Sequence, residues 1–352
     1  MKSLLYWTGL LLAVAFLALT VVNASWLAPS PRGSPKLIAH RGVAQIYDAT
    51  GVGRDTCTAT RIEAPVHDYV ENTLPGMRAT LLVGTQMVEV DIVPTRDGEL
   101  ALFHDWTLDC RTDGSGAARS ATLAQLQALD AGFGYTADGG ESFPLRGNPE
   151  NRIPTLEEGL RALPRKPILF NFKSADPAEA DLLAERLIAS GRRVERLGDG
   201  FYGHLAPVTR IREHFPDAWA WSTAEARACS EDYVLYGWTG YLPQSCRSGT
   251  MVVPLNYQWA FWGWPNRTIA RMEAHGGRIL MTGPHGDDAP NQGLLLPEQL
   301  GDIPSSYNGY VWVEDIWTIG PALRPSQDRR RPEMRKAADE ALEARRARLE
   351  AQ

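Results

Sequence analysis

Two acidic residues stand at alternate positions in the apolar run "VEVDIV". Glu89 and Asp91 are separated by one residue, and side chains at positions i and i+2 of a strand point to the same face. Two carboxylates held together raise the pKa of at least one of them unless a cation lies between them. Oxygen ligands of this kind favour a hard divalent cation, Mg²⁺ or Ca²⁺, over zinc. The pattern therefore predicts a metal site at Glu89 and Asp91.

Two histidines follow short apolar runs and could transfer protons. His40 ends the run "KLIAH" and precedes Arg41, whereas His104 ends "ALFH". Imidazole titrates near neutral pH and suits acid–base catalysis. The planar guanidinium of Arg41 matches a phosphate group. Three further polar residues lie near the ends of predicted elements: Glu71, Asn171 and Lys173.

A parallel barrel would bring these residues together. Eight β-rich runs alternate with helical patterns between Lys36 and about Leu323, and strands separated by helices indicate a parallel sheet. Eight such strands favour a single-domain (β/α)8 TIM barrel over residues 34–324. The active site of such a barrel is built at the C-terminal ends of its strands. All the candidate residues are expected to face that mouth.

Six segments of the chain resemble the glycerophosphodiester phosphodiesterase family. They are "AHRG" (39–42), "ENTLPG" (71–76), "VEVDIVPTRDGELALFHDWTLD" (88–109), "IPTLEE" (153–158), "FNFKS" (170–174) and "IWTIG" (316–320). The resemblance implies a barrel, a divalent metal, and hydrolysis of phosphodiesters such as glycerophosphocholine to glycerol 3-phosphate and an alcohol. It also implies a catalytic pair, His40 and His104. The other implied roles are metal ligation by Glu89 and Asp91, and substrate support by Arg41, Glu71 and Lys173.

One position departs from the family pattern. The family usually carries a third metal-binding Glu two residues before the lysine of the third strand, where this chain has Asn171. An amide oxygen can ligate Mg²⁺ or Ca²⁺ but brings no negative charge. Asn171 is therefore expected to be a third, neutral ligand that holds the metal more weakly than Glu would.

The N-terminal segment and the cysteines indicate export. Residues 1–24 contain a long apolar run from Leu4 to Val22, which reads as a membrane anchor or as a signal peptide ending near Ala24. In either case the rest of the chain is periplasmic or extracellular. The four cysteines lie in that exported part, and an oxidising compartment favours the disulfides Cys57–Cys110 and Cys229–Cys246.

Composition narrows the possible partners. The formal net charge is −6, which argues against nucleic acid. A small-molecule phosphodiester is the expected partner, and lipid-derived phosphodiesters are among the candidates. Residues 325–352 form a charged C-terminal tail, either a solvated helix or disordered. Two other functions stay open: a phospholipase D-like enzyme that forms a cyclic phosphate from a lipid or lysolipid, and a non-catalytic binding module. The Trp-rich run "NYQWAFWGWPNR" could line a substrate wall or pack in the core.

Overall fold

The computed structural model describes residues 2–53, 56–286 and 292–350. Its strands in chain order are β1 (Lys36–Ala39), β2 (Met87–Pro94), β3 (Leu100–Leu102), β4 (Ile168–Phe172), β5 (Gly200–Gly203), β6 (Trp219–Ser222), β7 (Thr250–Pro254), β8 (Arg278–Thr282) and β9 (Tyr310–Val313). All of them except β3 pair in parallel, in the order β6-β5-β4-β2-β1-β9-β8-β7. β3 pairs antiparallel with β2 and forms a hairpin beside the barrel.

The chain is a nearly closed eight-stranded parallel barrel in a single domain, as the alternation of strands and helices predicts. The two ends of the sheet, β6 and β7, meet through side chains. The Trp219 Nε1–H donates to the Thr250 hydroxyl at 2.8 Å. Large apolar side chains fill the barrel interior, which is therefore a packed core with a mouth and no channel. They include Ile38, Met87, Leu169, Trp221 and Trp312.

Helices follow most strands and cover the outside of the barrel. They are α1 (Lys2–Asn23), α2 (Leu74–Ala79), α3 (Leu123–Gln127), α4 (Leu156–Ala162), α5 (Ala178–Ala189), α6 (Val194–Leu197), α7 (Leu205–His214), α8 (Thr223–Tyr236), α9 (Asn266–Ala274), α10 (Ile316–Leu323) and α11 (Pro332–Glu350). Three of them begin with a capping box, in which Thr122 pairs with Gln125, Thr155 with Glu158 and Ser222 with Glu225. Such caps satisfy amides that the first helical turn leaves free.

A separate apolar cluster lies beside the mouth. It combines residues of the long segment between β1 and α2 with residues that follow β3, including Ile62, Phe103 and Tyr135. The Cys57–Cys110 disulfide joins these two segments, and Cys229–Cys246 joins α8 to the segment before β7. Both predicted pairings are confirmed.

The C-terminal tail is a helix, but it is not fully solvated. One face of α11 buries Ala338, Leu342 and Arg345. The Arg345 guanidinium contacts Glu63 at 3.0 Å and Asp315 at 2.6 Å. The run of charges suggested solvation, whereas three of the α11 arginines bind carboxylates elsewhere in the chain: Arg345, Arg346 and Arg348. The tail is thereby packed against the segment beside the mouth.

Candidate active site

A left-handed turn places His40 and Arg41 at the end of β1. Arg41 has φ 61° and Gly42 has φ 84°, conformations that L-residues other than Gly rarely adopt. A Cβ atom at Gly42 would lie 3.1 Å from the backbone of Gly76. The turn points the Arg41 amide at Glu89, which accepts its hydrogen bond at 2.9 Å.

Arg41 lies among the acidic residues of the site. Its Nη1 contacts the Glu71 carboxylate at 2.9 Å, and its Nε lies 3.4 Å from an oxygen of Asp91. Nε also donates to Nε2 of His40 at 3.1 Å. One guanidinium thus links three of the residues that the sequence predicted for the site.

Glu89 and Asp91 are completely buried, but their surroundings differ. Glu89 accepts the hydroxyl of Tyr202 at 2.8 Å. Burial, and then the nearby charge of Asp91, raises the pKa of Glu89 to about 7. Burial alone would also raise the pKa of Asp91, but the neighbouring cationic groups hold it well below its usual range. The positive charge around the two carboxylates therefore stabilises the ionised form of Asp91 but not that of Glu89.

Two asparagine amides satisfy Asp91. The Asn72 amide donates at 3.0 Å and the Asn171 amide at 2.8 Å, one to each carboxylate oxygen. Asn171 lies opposite Asp91 in the pairing of β2 with β4. Its Nδ2 faces Asp91, so a turn of the amide would be needed to present Oδ1 there.

Each candidate catalytic histidine is held by a carboxylate. His40 Nδ1 lies 2.6 Å from Glu314, and His104 Nδ1 lies 2.6 Å from Asp105. A carboxylate can only accept, so Nδ1 carries the proton in both rings. Nε2 of each ring is then the atom that can exchange a proton with a substrate.

The two imidazoles have opposite proton affinities. Burial alone would lower the pKa of His40, but attraction to Glu314 outweighs it and the pKa is raised. Burial, followed by repulsion from Arg41, lowers the pKa of His104 to about 4. At neutral pH, His104 is therefore the neutral ring, and His40 holds a proton more readily.

Arg111 holds two acidic residues of the barrel mouth in place. Its Nε donates to Asp105 at 2.8 Å and its Nη1 contacts Glu71 at 3.0 Å. Its remaining donors reach the hydroxyls of Tyr135 and Thr58, both at 2.7 Å. Lys173 completes the site, because its Nζ donates to the carbonyl of His104 at 2.5 Å. Burial lowers the pKa of Lys173.

The eight predicted residues form one connected group, to which the structure adds five that the sequence alone did not assign: Asn72, Asp105, Arg111, Tyr202 and Glu314. Asn72 stands inside the "ENTLPG" motif, and Glu314 follows β9, so the positions of both in the sequence could have identified them as site residues. Tyr202 comes from β5, the run with the weakest strand pattern. Arg111 had no signal, since only the fold brings it to the mouth.

The Trp-rich run after β7 does not form one wall. Phe261 is buried in the core, and Trp264 packs against the same cluster. Trp259 is exposed, and the Trp262 Nε1–H donates to the carbonyl of Val234. Neither the lining of the mouth beside His40 nor that beside His104 includes residues of this run.

Comparison with known proteins matches part of the chain to one enzyme family. Residues 40–197 match the model of the Glycerophosphoryl diester phosphodiesterase family. Over this stretch, which is less than half of its length, the chain is similar to that family. The matched region contains His40, the Glu89–Asp91 pair, His104 and Lys173.

Curated relatives match this chain over part of its length. An uncharacterized protein of Mycobacterium tuberculosis is 32% identical over 165 residues, which are 45% of this chain and 54% of that protein. A glycerophosphodiester phosphodiesterase of Bacillus subtilis is 30% identical over 131 residues, 36% of this chain and 43% of the relative. The chain thus spans about half, or less, of these curated relatives.

Solved structures share the fold over a longer range. A glycerophosphoryl diester phosphodiesterase from Parabacteroides distasonis has a TM-score of 0.54 at 18% identity, covering 88% of this chain and 92% of that chain. A phosphodiesterase from Oleispira antarctica, solved with the product sn-glycerol-3-phosphate, has a TM-score of 0.53 at 18% identity, covering 82% and 97%. Both support the TIM-barrel assignment.

Proposed function

We propose that this protein is an exported, metal-dependent phosphodiesterase that hydrolyses glycerophosphodiesters to glycerol 3-phosphate and an alcohol. The observation that carries the proposal is the pair of carboxylate-held imidazoles, His40–Glu314 and His104–Asp105, in one barrel mouth. A binding protein has no need of two oriented histidines with opposite proton affinities. An acid–base hydrolase needs both, and they surround cationic groups that suit a phosphate.

The pKa values of His40 and His104 suggest which ring accepts a proton and which ring donates one. Neutral His104 can take a proton at Nε2 from the attacking nucleophile, while Asp105 stabilises the imidazolium that forms. Once the Arg41 Nε–H that now donates to Nε2 of His40 has turned away, a protonated His40 can give an Nε2 proton to the departing alcohol oxygen, while Glu314 keeps the ring oriented. Such proton transfers contribute about 10²–10⁴-fold each to the rate of comparable enzymes.

The cationic residues would hold the phosphate. Arg41 can offer its guanidinium to a phosphate oxygen, and Lys173 adds a point charge beside His104. Glu71 keeps the Arg41 side chain in place, and Arg111 in turn holds both Glu71 and Asp105. The phosphate therefore meets cations that are already fixed, which lowers the entropy cost of binding.

The charges of the site fit a divalent cation. Three permanent cations, Arg41, Arg111 and Lys173, face five carboxylates: Glu71, Glu89, Asp91, Asp105 and Glu314. The excess of two negative charges is the reason why burial can raise the pKa of Glu89 to about 7. Among the described residues, no three His, Cys, Asp or Glu side chains are placed together as a complete metal site, so a ligand from outside that set is required.

Glu89 and Asp91 would hold the metal, with a turned amide of Asn171 as the third ligand. Mg²⁺ or Ca²⁺ suits these oxygen donors, and when bound it would withdraw charge from a phosphoryl oxygen. The ligands contribute two negative charges, where a family member with Glu at the third position has three. Binding is therefore expected to be weaker and readily reversed by chelators.

The helix α1 and the two disulfides support an exported location. Among the described residues, α1 is the one helix long and apolar enough to cross a membrane, and none of its apolar window is buried. Two disulfides favour an oxidising compartment. We propose that α1 anchors the barrel to the outer side of the membrane, with Lys2 on the opposite side.

A substrate screen would test the proposed function. The purified full-length protein would be supplied with Mg²⁺ or Ca²⁺ and given glycerophosphocholine, glycerophosphoethanolamine or lysophosphatidylcholine, with products followed by ³¹P NMR. Glycerol 3-phosphate from the first two substrates is the expected result. Turnover of the lysolipid alone, to a cyclic phosphate, would indicate the phospholipase D-like reaction. His275→Ala, which replaces an exposed histidine just after the end of α9, is the control for histidine loss outside the site.

A further inference from the structure

The C-terminal end of α1 is fixed to the barrel by polar contacts. The Asn23 side chain donates to the carbonyl of Trp238 at 2.7 Å, and Arg271 of α9 donates to the carbonyl of Val22 at 3.0 Å. The amide of Asn266 donates to the Ser25 hydroxyl at 3.0 Å. The last carbonyls of a helix lack intrahelical partners, and Arg271 satisfies one of them with a charge that also suits the helix dipole.

The fit between helix and barrel is close as well as polar. Ala24 is buried at this junction. Gly240 has φ 85°, and a Cβ atom there would lie 2.2 Å from a methyl group of Val22. A side chain at position 240 would therefore push the helix away. The barrel surface is shaped to receive the end of α1.

Exposed aromatic and apolar side chains surround this junction. Trp238 follows the end of α8, and its carbonyl accepts a hydrogen bond from the Asn23 side chain at the end of α1. The Trp262 Nε1–H donates to the carbonyl of Val234 on α8. Leu235 is 61% exposed, although it is a large apolar side chain. We define the aromatic belt as six exposed residues around the α1 junction: Trp26, Leu235, Tyr236, Trp238, Tyr241 and Trp262.

We propose that the aromatic belt is a membrane-contact surface that sits in the interfacial layer of the bilayer that α1 crosses. The belt and α1 then bind the same membrane, and the barrel is held against it in one orientation. The proposal requires α1 to be retained, and it holds whichever phosphodiester the barrel hydrolyses.

Several features favour lipid over a protein partner. The 22 residues of α1 span about 33 Å at about 1.5 Å per residue, which matches the bilayer core. Trp and Tyr are the residues enriched where that core meets water. Arg247 donates to the Tyr241 hydroxyl and lies over its ring, so a cation accompanies the belt where anionic headgroups would be. Because α1 emerges inside the belt, a membrane-spanning α1 brings the belt to the membrane surface.

Site-specific fluorescence in lipid nanodiscs would test the proposal. All four cysteines of the sequence are in disulfides, so an introduced cysteine is the single free thiol. Leu235→Cys and Trp238→Cys would each be labelled with an environment-sensitive dye in the full-length protein. Ile188→Cys on α5 is the matched control, since Ile188 is 63% exposed and Leu235 is 61% exposed.

The readout is quenching by lipids that carry a spin label near the headgroup. Both belt positions should show blue-shifted emission and quenching several-fold stronger than the control position. Quenching equal to the control at both positions would overturn the proposal. A blue shift without lipid quenching would show burial against a second copy and would also overturn the membrane-contact proposal. The proposal would equally be overturned if the protein were recovered only as a chain that begins at Ser25, without α1. Glycerophosphocholine turnover, measured on the same samples, reports separately on the proposed function.

Discussion

Replacing Glu314 with Gln tests whether this residue positions His40 for proton transfer. The 2.6 Å contact joins a carboxylate to a ring nitrogen. A hydrogen bond to a charged group contributes about 1.5–3 kcal/mol, and one between neutral groups about 0.5–1.5 kcal/mol. Gln keeps an acceptor but loses the charge, so about 1–2 kcal/mol of support for the imidazolium disappears. The expected loss is about 5- to 30-fold in kcat.

The pH profile separates positioning from a purely structural role. Glu314 raises the pKa of His40, so Glu314→Gln should move the limb of the pH–rate profile that belongs to His40 to lower pH. Steady-state kinetics on glycerophosphocholine across the pH range provide both the kcat and the position of the limb that belongs to His40. A kcat within twofold of the wild type, with no displacement of either limb, would refute the positioning role.

Acid unfolding gives an independent check on the same contact. Burial alone would raise the pKa of Glu314, but His40 lowers it from the ordinary 4.5 to about 2. A carboxylate with a lowered pKa stabilises the fold above its unfolded pKa and loses that contribution as pH falls through the folded value. The wild type should lose this part of its free energy of unfolding between about pH 4.5 and pH 2, whereas Glu314→Gln should not. Denaturant titrations at several pH values would show it.

The remaining predictions concern proton transfer and the metal. His40→Ala and His104→Ala should each lower kcat by about 10²–10⁴-fold with thermal unfolding little changed; near-normal turnover in either variant would remove that histidine from the mechanism. Asn171→Glu should tighten Mg²⁺ or Ca²⁺ binding in calorimetry, and an unchanged affinity would mean that residue 171 is not a ligand. Because the pKa of Glu89 is about 7, its proton must leave before a metal binds. Metal affinity should therefore rise about tenfold per pH unit up to about pH 7 and then level off; an affinity independent of pH between 5 and 8 would contradict this role for Glu89.

Local patterns predicted much of the fold and of the site. The β-rich runs, the His-Arg-Gly turn and the Glu89–Asp91 alternation are each contained in a few consecutive residues, so the sequence reveals them directly. The contacts of Arg111 with Glu71 and Asp105 join segments that are distant in sequence, and a lone arginine after a cysteine carries no sign of them. The same holds for Arg345, whose partners Glu63 and Asp315 lie far from the charged tail.

The most direct test of the central claim is glycerol 3-phosphate release from glycerophosphocholine by the chelator-treated full-length protein, before and after Mg²⁺ or Ca²⁺ is restored. The account predicts no release after chelation, recovery with the metal, and a rate about 10²–10⁴-fold below the wild type for metal-loaded His40→Ala. It would be contradicted if neither metal produced glycerol 3-phosphate at any pH, or if the chelated enzyme and His40→Ala turned over at the rate of the metal-loaded wild type.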